Sequence, residues 1–195
     1  MWRISDDFWD KWSLLKEQFQ RCADWAPFCG GGHWPDADML PLGAIKVSAE
    51  SRTKFTKEEQ YTLMTLWSIC RSPLIFGGDL PKTDAFTLSL LTNDEVLAVD
   101  QRSRGGRQLF RKDDLIAWTA DADNSNDKYL AVFNAKDDGD HGPSEVSVSL
   151  KDIGLDGPCK VRDLWKGEDV GVFSGKFEPM VAAHGAGLYR VSFVK

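Results

Sequence analysis

Arg3 and Asp7 stand four residues apart among Trp2, Trp9 and Trp12, with Asp6 beside them, before any core has been built. A second pair of carboxylates, Asp36 and Asp38, follows the glycines at 30–32 and precedes Met39. Carboxylates do acid–base work and accept hydrogen bonds from hydroxyl-bearing ligands. Aromatic rings supply the flat walls on which sugars and other ring-shaped ligands rest. Chain termini are ordinarily polar and tolerant of change, so this opening reads as the inside of a site.

Each residue also has a plainer reading. Asp6 and Asp7 would complement the positive end of a helix dipole. Asp36 and Asp38 would make Asx turns in a loop rich in glycine and proline. His33 lies near Cys29 and Asp36, but no four-ligand spacing accompanies it, so neither a metal nor a cofactor is expected. Trp34 and Trp67 read as core, and His184, before Gly185, as a turn residue.

The elements that must position these groups come next. Phe8, Trp12, Leu15, Phe19 and Cys22 recur at steps of four and three, which predicts a helix from about residue 6 to about residue 23. Ser5 or Asp6 is its natural N-cap. Pro27 ends it, and the stretch to Gly43, broken by glycines and prolines, reads as a strand end and a structured loop. Residues 46–55 are polar and predict an exposed loop. Thr56 to Glu59 is a capping box opening a helix that buries Leu63, Leu66, Trp67 and Cys70. Ser72-Pro73 stops that helix, and the apolar run 74–78 predicts a strand buried on both faces. A helix over 84–91 follows, then another starting at the box Thr92 to Glu95. Alternation of this kind belongs to α/β architecture with parallel strands.

Near residue 104 the pattern changes to short alternating runs: 108–111, 115–120, 128–134, 145–150, 160–164, 170–173 and 187–194. Turn clusters at 112–114, 137–139 and 166–168 separate them. This is the pattern of an all-antiparallel sandwich or barrel. The fold class is thus α/β plus all-β, with residues 1–103 in the first domain and 104–195 in the second. Two parallel strands cannot close a core. The first domain must therefore lean on the second or be the end of a larger barrel, and its aromatic N-terminus favours the latter.

Composition narrows the partners. A net charge of −6 argues against nucleic acid and anionic membrane, and no apolar run reaches a membrane span. No charged-then-apolar leader opens the chain. The four cysteines, Cys22, Cys29, Cys70 and Cys159, form no CxxC pair and read as free thiols, with a Cys22–Cys29 bridge left open.

Four ordered blocks carry a resemblance to a known family. They are Trp2-Arg3 with Asp7; residues 31–40, Gly-Gly-His-Trp-Pro-Asp-Ala-Asp-Met-Leu; residues 66–69 with 72–80; and residues 91–96, Leu-Thr-Asn-Asp-Glu-Val. Together they resemble glycoside hydrolase family 27, the α-galactosidases and α-N-acetylgalactosaminidases, continuously over residues 2–101. The tail at 184–190 is similar to that family's C-terminal β-sandwich. The resemblance implies the C-terminal part of a (β/α)8 TIM barrel followed by an antiparallel β-sandwich, and retaining hydrolysis of a terminal α-galactoside.

Carried over residue by residue, Asp7 matches the acid/base and Arg3 the arginine holding sugar hydroxyls. Asp38 and Met39 match the sugar-pocket lining, and Asp36, with Trp34, structural support. Pro35 and Ala37 replace the usual asparagine and proline of this loop. A proton donor needs surroundings that disfavour its charge, which Trp2, Phe8 and Trp9 would supply and Arg3 would oppose. The nucleophile and the loop that separates galactose from N-acetylgalactosamine belong to earlier barrel strands, so this chain is expected to be inactive alone. For the full-length enzyme a periplasmic or secreted location is expected. The alternatives are a non-catalytic carbohydrate-binding module, marked by an aromatic platform on residues 104–195, and a split-barrel interaction module. The latter would meet a missing N-terminal barrel segment or a second copy through exposed apolar surface.

Overall fold

The computed structural model describes residues 1–45, 51–137 and 142–194. Part of the expected loop at 46–55 and of the turn at 137–139 lies outside these residues. The first unit runs β1 (Trp2–Arg3), α1 (Trp12–Trp25), β2 (Pro35–Asp36), α2 (Lys57–Cys70), α3 (Ala85–Leu91) and α4 (Asp94–Arg102). β1 and β2 pair in parallel, and Leu40 makes a further parallel bridge with Phe76. These three steps form one arc of parallel backbone.

The first helix starts later than its periodicity predicts. α1 begins at Trp12, Lys11 is its cap without a side-chain bond, and no acidic residue occupies its first turn. Ser5, Asp6 and Asp7 therefore neither cap it nor serve its dipole. The reason lies across the fold: the Phe8 amide donates to the Asp38 carboxylate at 2.6 Å, and the Phe8 ring is buried against Trp67. Residues 4–11 are consequently held out of helical geometry. The box at Thr56 and Glu59 is present with both bonds. The second box is shifted by one residue, because Asn93, not Thr92, accepts from the Glu95 and Val96 amides. The run 74–78 is not buried on both faces: only Phe76 bridges, and Ile75 is 45% exposed. Its single neighbour, Leu40, leaves its other edge open among the described residues.

After α4 come β3 (Ser103–Lys112), β4 (Leu115–Ala122), β5 (Lys128–Asn134), β6 (Ser144–Glu145), β7 (Val148–Ser149), β8 (Pro158–Asp163) and β9 (Glu168–Ser174). β10 (Lys176–Phe177), β11 (Met180–Val181) and β12 (Ala186–Phe193) complete the chain. A six-stranded antiparallel sheet in the order β3-β4-β5-β12-β8-β9 faces two small pairs, β10-β7 and β11-β6. Leu130, Val132, Val161 and Val191 point into the sandwich with Val148, Phe177 and Val181.

The opposite face of the sheet is also covered. Trp118, Tyr129, Ala131, Phe133 and Leu188 join Phe8, Leu15, Phe19, Leu63, Leu66 and Trp67 in one core. This is why β5 reads as a near-continuous apolar run, Tyr-Leu-Ala-Val-Phe, with no solvent side. Each large side chain so buried stabilises by roughly 1.5–3 kcal/mol. The first unit's helices thus lean on the β-sheet, one of the two arrangements its incomplete strands require. Polar ties reinforce the contact, with Arg162 forking onto Glu95 at 2.7 Å and Lys16 reaching Asp114 at 2.6 Å.

His184 is more than a turn residue. At φ +57° it stacks on Trp12 with ring centres 3.7 Å apart, and its Nδ1 lies 2.9 Å from Glu59 Oε1. The four cysteines are free thiols, and Cys70 lies against the Cys22 thiol with Cys29 also nearby. Among the described residues no helix is long and apolar enough to cross a membrane.

Arg71 closes the far end of the first unit, donating to the carbonyls of Asp100 at 2.7 Å and Ser103 at 2.5 Å. Burial pushes the Asp100 carboxyl up to about 6, against the pull of the Arg71 guanidinium. In the unfolded chain an aspartate titrates near about 3.9. The relative stabilisation of the protonated form is therefore fully present below about pH 4 and lost as pH rises through about 6. Asp100→Asn is expected to stabilise the chain at neutral pH by at most about 3 kcal/mol. It should also flatten the change in urea-unfolding free energy across that window.

Candidate active site

The backbone runs out of β1 at Arg3 and out of β2 at Asp36, so residues just beyond both strands emerge at the same end of the parallel arc. Arg3 Nη2 lies 2.5 Å from Asp38 Oδ2 and 3.4 Å from Asp7 Oδ1, and donates to the Asp6 carbonyl at 3.2 Å. One guanidinium thus holds two carboxylates that are 31 residues apart in sequence. The two differ in environment. The Asp7 side chain is 89% exposed and that of Asp38 only 16%.

Asp38 is constrained from every direction. Its Oδ2 accepts the Phe8 amide at 2.6 Å and its Oδ1 the Met39 amide at 2.7 Å. Its own amide donates to Asp36 Oδ1 at 2.9 Å, which gives the buried Asp36 a supporting part. Its carbonyl accepts the Trp67 indole N–H at 2.8 Å. These bonds fix a backbone at φ +83°, a region that aspartate tolerates better than most residues but still at a cost. The neighbouring Ala37 amide donates to Ser72 Oγ at 3.0 Å. Met39 lies across Gly77, where an added Cβ would come 2.5 Å from its sulfur. Only glycine lets these two stretches approach so closely.

Arg3, Asp7, Asp36, Asp38 and Met39 are therefore brought together, and Trp34 is not. Trp34 precedes β2, whereas Asp38 follows it, so Trp34 faces the other end of the arc with the Arg71 guanidinium 4.1 Å from its ring. The shielding expected of Asp7 is not provided. Phe8 packs inward on Trp67 and Phe55, and Trp2 turns to Trp25 and His33. Trp67 and Ser72, which hold the Asp38 segment, read from the sequence only as a core residue and a helix stop. The signal for Trp67 was its indole N–H, since a fully buried tryptophan usually finds an acceptor. Among the described residues no group of three metal-ligating side chains exists. What remains is an open rim of carboxylates and one guanidinium, suited to hydroxyl-bearing neutral ligands and to proton transfer.

Comparison with known proteins gives the rim a context. Residues 1–102 match the family model described as alpha galactosidase A, and residues 112–191 the model described as alpha galactosidase C-terminal beta sandwich domain. A family 27 β-L-arabinopyranosidase from Geobacillus stearothermophilus superposes with a TM-score of 0.93 at 46% identity, over 100% of this chain and 45% of that one. Alpha-galactosidase 3 of Arabidopsis thaliana is 32% identical over 96% of this chain and 42% of its own length. Alpha-galactosidase D of Emericella nidulans is 29% identical over 98% of this chain and 28% of its own. The chain thus spans less than half the length of these relatives.

The two carboxylates are expected to respond differently to substitution. Asp38→Ala removes an acceptor from the Phe8 and Met39 amides and from Arg3, and is expected to destabilise by about 2–4 kcal/mol. Asp7→Asn is expected to change stability by less than about 0.5 kcal/mol. Chemical denaturation of both variants, monitored by tryptophan fluorescence, checks this contrast.

Proposed function

Because the chain belongs to glycoside hydrolase family 27, we propose that Asp7 is the acid/base of a retaining glycosidase acting on terminal α-galactosides. The observation that carries this reading is the Arg3 guanidinium bridging Asp7 and Asp38 at the ends of adjacent parallel strands. In this reading Asp7 protonates the leaving oxygen and then deprotonates the incoming water. Arg3 and Asp38 hold ring hydroxyls, and Met39 gives the pocket an apolar side. The exposure of Asp7 fits a group that swings between donor and acceptor duty, and among the described residues its carboxylate bonds to Arg3 alone, which leaves it free for that duty.

Retaining hydrolysis needs a second carboxylate roughly 5–5.5 Å from the first. We assign it to barrel strands outside these 195 residues. Two observations support that assignment: the chain's share of its relatives' length, and the two edges of the arc, at β1 and at Phe76, that are open among the described residues. Unpaired edges of this kind are normally satisfied by further strands. Residues 1–103 then act as the closing βα units of a barrel, with residues 104–195 as its β-domain.

A second substrate reading rests on the 46% identity to the β-L-arabinopyranosidase. L-Arabinopyranose presents the ring hydroxyls of galactopyranose without the exocyclic hydroxymethyl group. The Arg3 and Asp38 contacts would serve both sugars, and whatever lies around C6 decides between them.

The test compares the 195-residue chain alone with the same chain preceded by the N-terminal barrel half of a family 27 enzyme. Both are offered chromogenic α-D-galactopyranoside and β-L-arabinopyranoside. Turnover is expected only in the completed barrel, and Asp7→Asn is expected to lower its kcat by about 10²–10⁴-fold. Turnover by the chain alone would overturn the assignment of the nucleophile, and undiminished turnover by the Asp7 variant would overturn that of the acid/base. Preference for the arabinoside decides for the second sugar.

A further inference from the structure

A second cleft, of about 310 Å³, opens where α2 meets the end of the β-sandwich. Its volume stands at the lower end of small-ligand sites, which run from about 300 to about 1,000 Å³. None of the residues assigned above lines it. Tyr61 and Trp165 form an aromatic wall, meeting edge to face with ring centres 4.9 Å apart. The wall is rigid, because the Trp165 indole N–H donates to Thr65 Oγ1 at 2.9 Å and Tyr61 also packs edge-on against Phe86. The carboxylates of Asp163 and Glu58 and the Lys166 ammonium supply the polar lining. Asp163 is itself fixed, accepting the amides of Trp165 and Lys166 at 3.0 and 3.1 Å.

Tyr189 gives the cleft its direction. Its ring is largely buried, with the residue only 8% exposed, and it lines the cleft. The ring lies back over Gly187, where a Cβ would come 2.5 Å from the hydroxyl, so the glycine makes room for the phenol beside the cleft. Burial and the nearby Asp163 charge push its ionisation upward, so it remains a neutral donor.

We propose that this cleft is a second carbohydrate subsite, taking one pyranose ring of an oligosaccharide against Tyr61 and Trp165. Its hydroxyls would meet Tyr189 and the carboxylates of Asp163 and Glu58. The chemistry selects a sugar over other small ligands. An anion would be disfavoured by the net negative lining, two carboxylates against the one ammonium of Lys166, which pairs with Asp163 at 3.5 Å. A purely aromatic ligand would strip water from them without returning hydrogen bonds. A pyranose offers an apolar face to the rings and hydroxyl donors to the carboxylates, and it accepts from the phenol. Binding here involves no bond cleavage, so the proposal stands apart from the role given to Asp7.

Isothermal titration of the 195-residue chain with D-galactose, L-arabinose and a galactomannan oligosaccharide tests it. Binding of at least one of these is expected, weakened at least tenfold by Tyr189→Phe, which removes one oxygen and keeps the ring, and by Tyr61→Leu. Thermal melts show whether each variant is folded; if Tyr61→Leu is not, Tyr189→Phe decides alone. Asp38→Asn, its fold checked by circular dichroism, is expected to leave the affinity unchanged. Absence of binding into the tens of millimolar, insensitivity to Tyr189→Phe, or loss of binding in Asp38→Asn would each overturn the proposal. The last outcome would place the sugar at the first rim instead.

Discussion

The burial of α2 on nearly every side is the constraint on which the rest of the molecule depends. From Glu59 to Ile69 only Tyr61 retains appreciable exposure, although the helix carries Gln60, Thr62, Thr65 and Ser68. A helix with so little water face must place most of its polar groups against protein while filling its surroundings. It does so by contributing to both units. Trp67 caps the Asp38 carbonyl on the side of the parallel arc. Thr65, Thr62 and Glu59 take Trp165, the His184 carbonyl and the His184 ring on the side of the sandwich. The candidate active rim and the second cleft are therefore built on opposite sides of one rigid element. Moving α2 would disturb both, and this is why neither needs ligands to define its walls.

The same logic divides the carboxylates. Those that hold the fold are saturated: the Asp38 carboxylate accepts three bonds, Asp163 caps its own turn, and Glu59 serves a capping box and a histidine at once. Asp7 is the contrast, open to water and bonded through its side chain, among the described residues, to Arg3 alone. A residue this unconstrained contributes little to stability, which fits the chemical role proposed for it. In the proposed reading Asp38 combines both duties, since its structural bonds fix the direction in which its carboxylate meets Arg3, and that preorganisation is what a binding group needs.

How much of this could be read from the sequence depended on whether the signal was local. The capping box at Thr56, the β-runs after residue 103 and the spacing of Arg3 to Asp7 are local patterns, and each corresponds to a feature of the fold. The start of α1 was not legible, because the carboxylate that pulls Phe8 out of helical geometry lies 30 residues away. Nor was the coverage of both sheet faces legible in the turn pattern that announces a sandwich. The hint was the unbroken apolar run of β5, which an alternating strand would not show. The Trp34–Arg71 stack and the His184–Trp12 stack were hidden for the same reason: each joins residues distant in the chain through ring faces.

A site exposed on this scale cannot by itself exclude water from a reacting sugar. Asp7 and Arg3 both face solvent, and the aromatic residues next to them in sequence are committed elsewhere, Phe8 to the core and Trp2 to Trp25. If the rim works as proposed, the strands that bring the nucleophile must also bring the wall that dries the site. One addition then supplies both catalytic requirements. This sets a geometric demand on the missing wall. It must approach Asp7 from the side away from Asp38, since the other side is already filled by the Phe8 amide, Trp67 and the Met39–Gly77 contact.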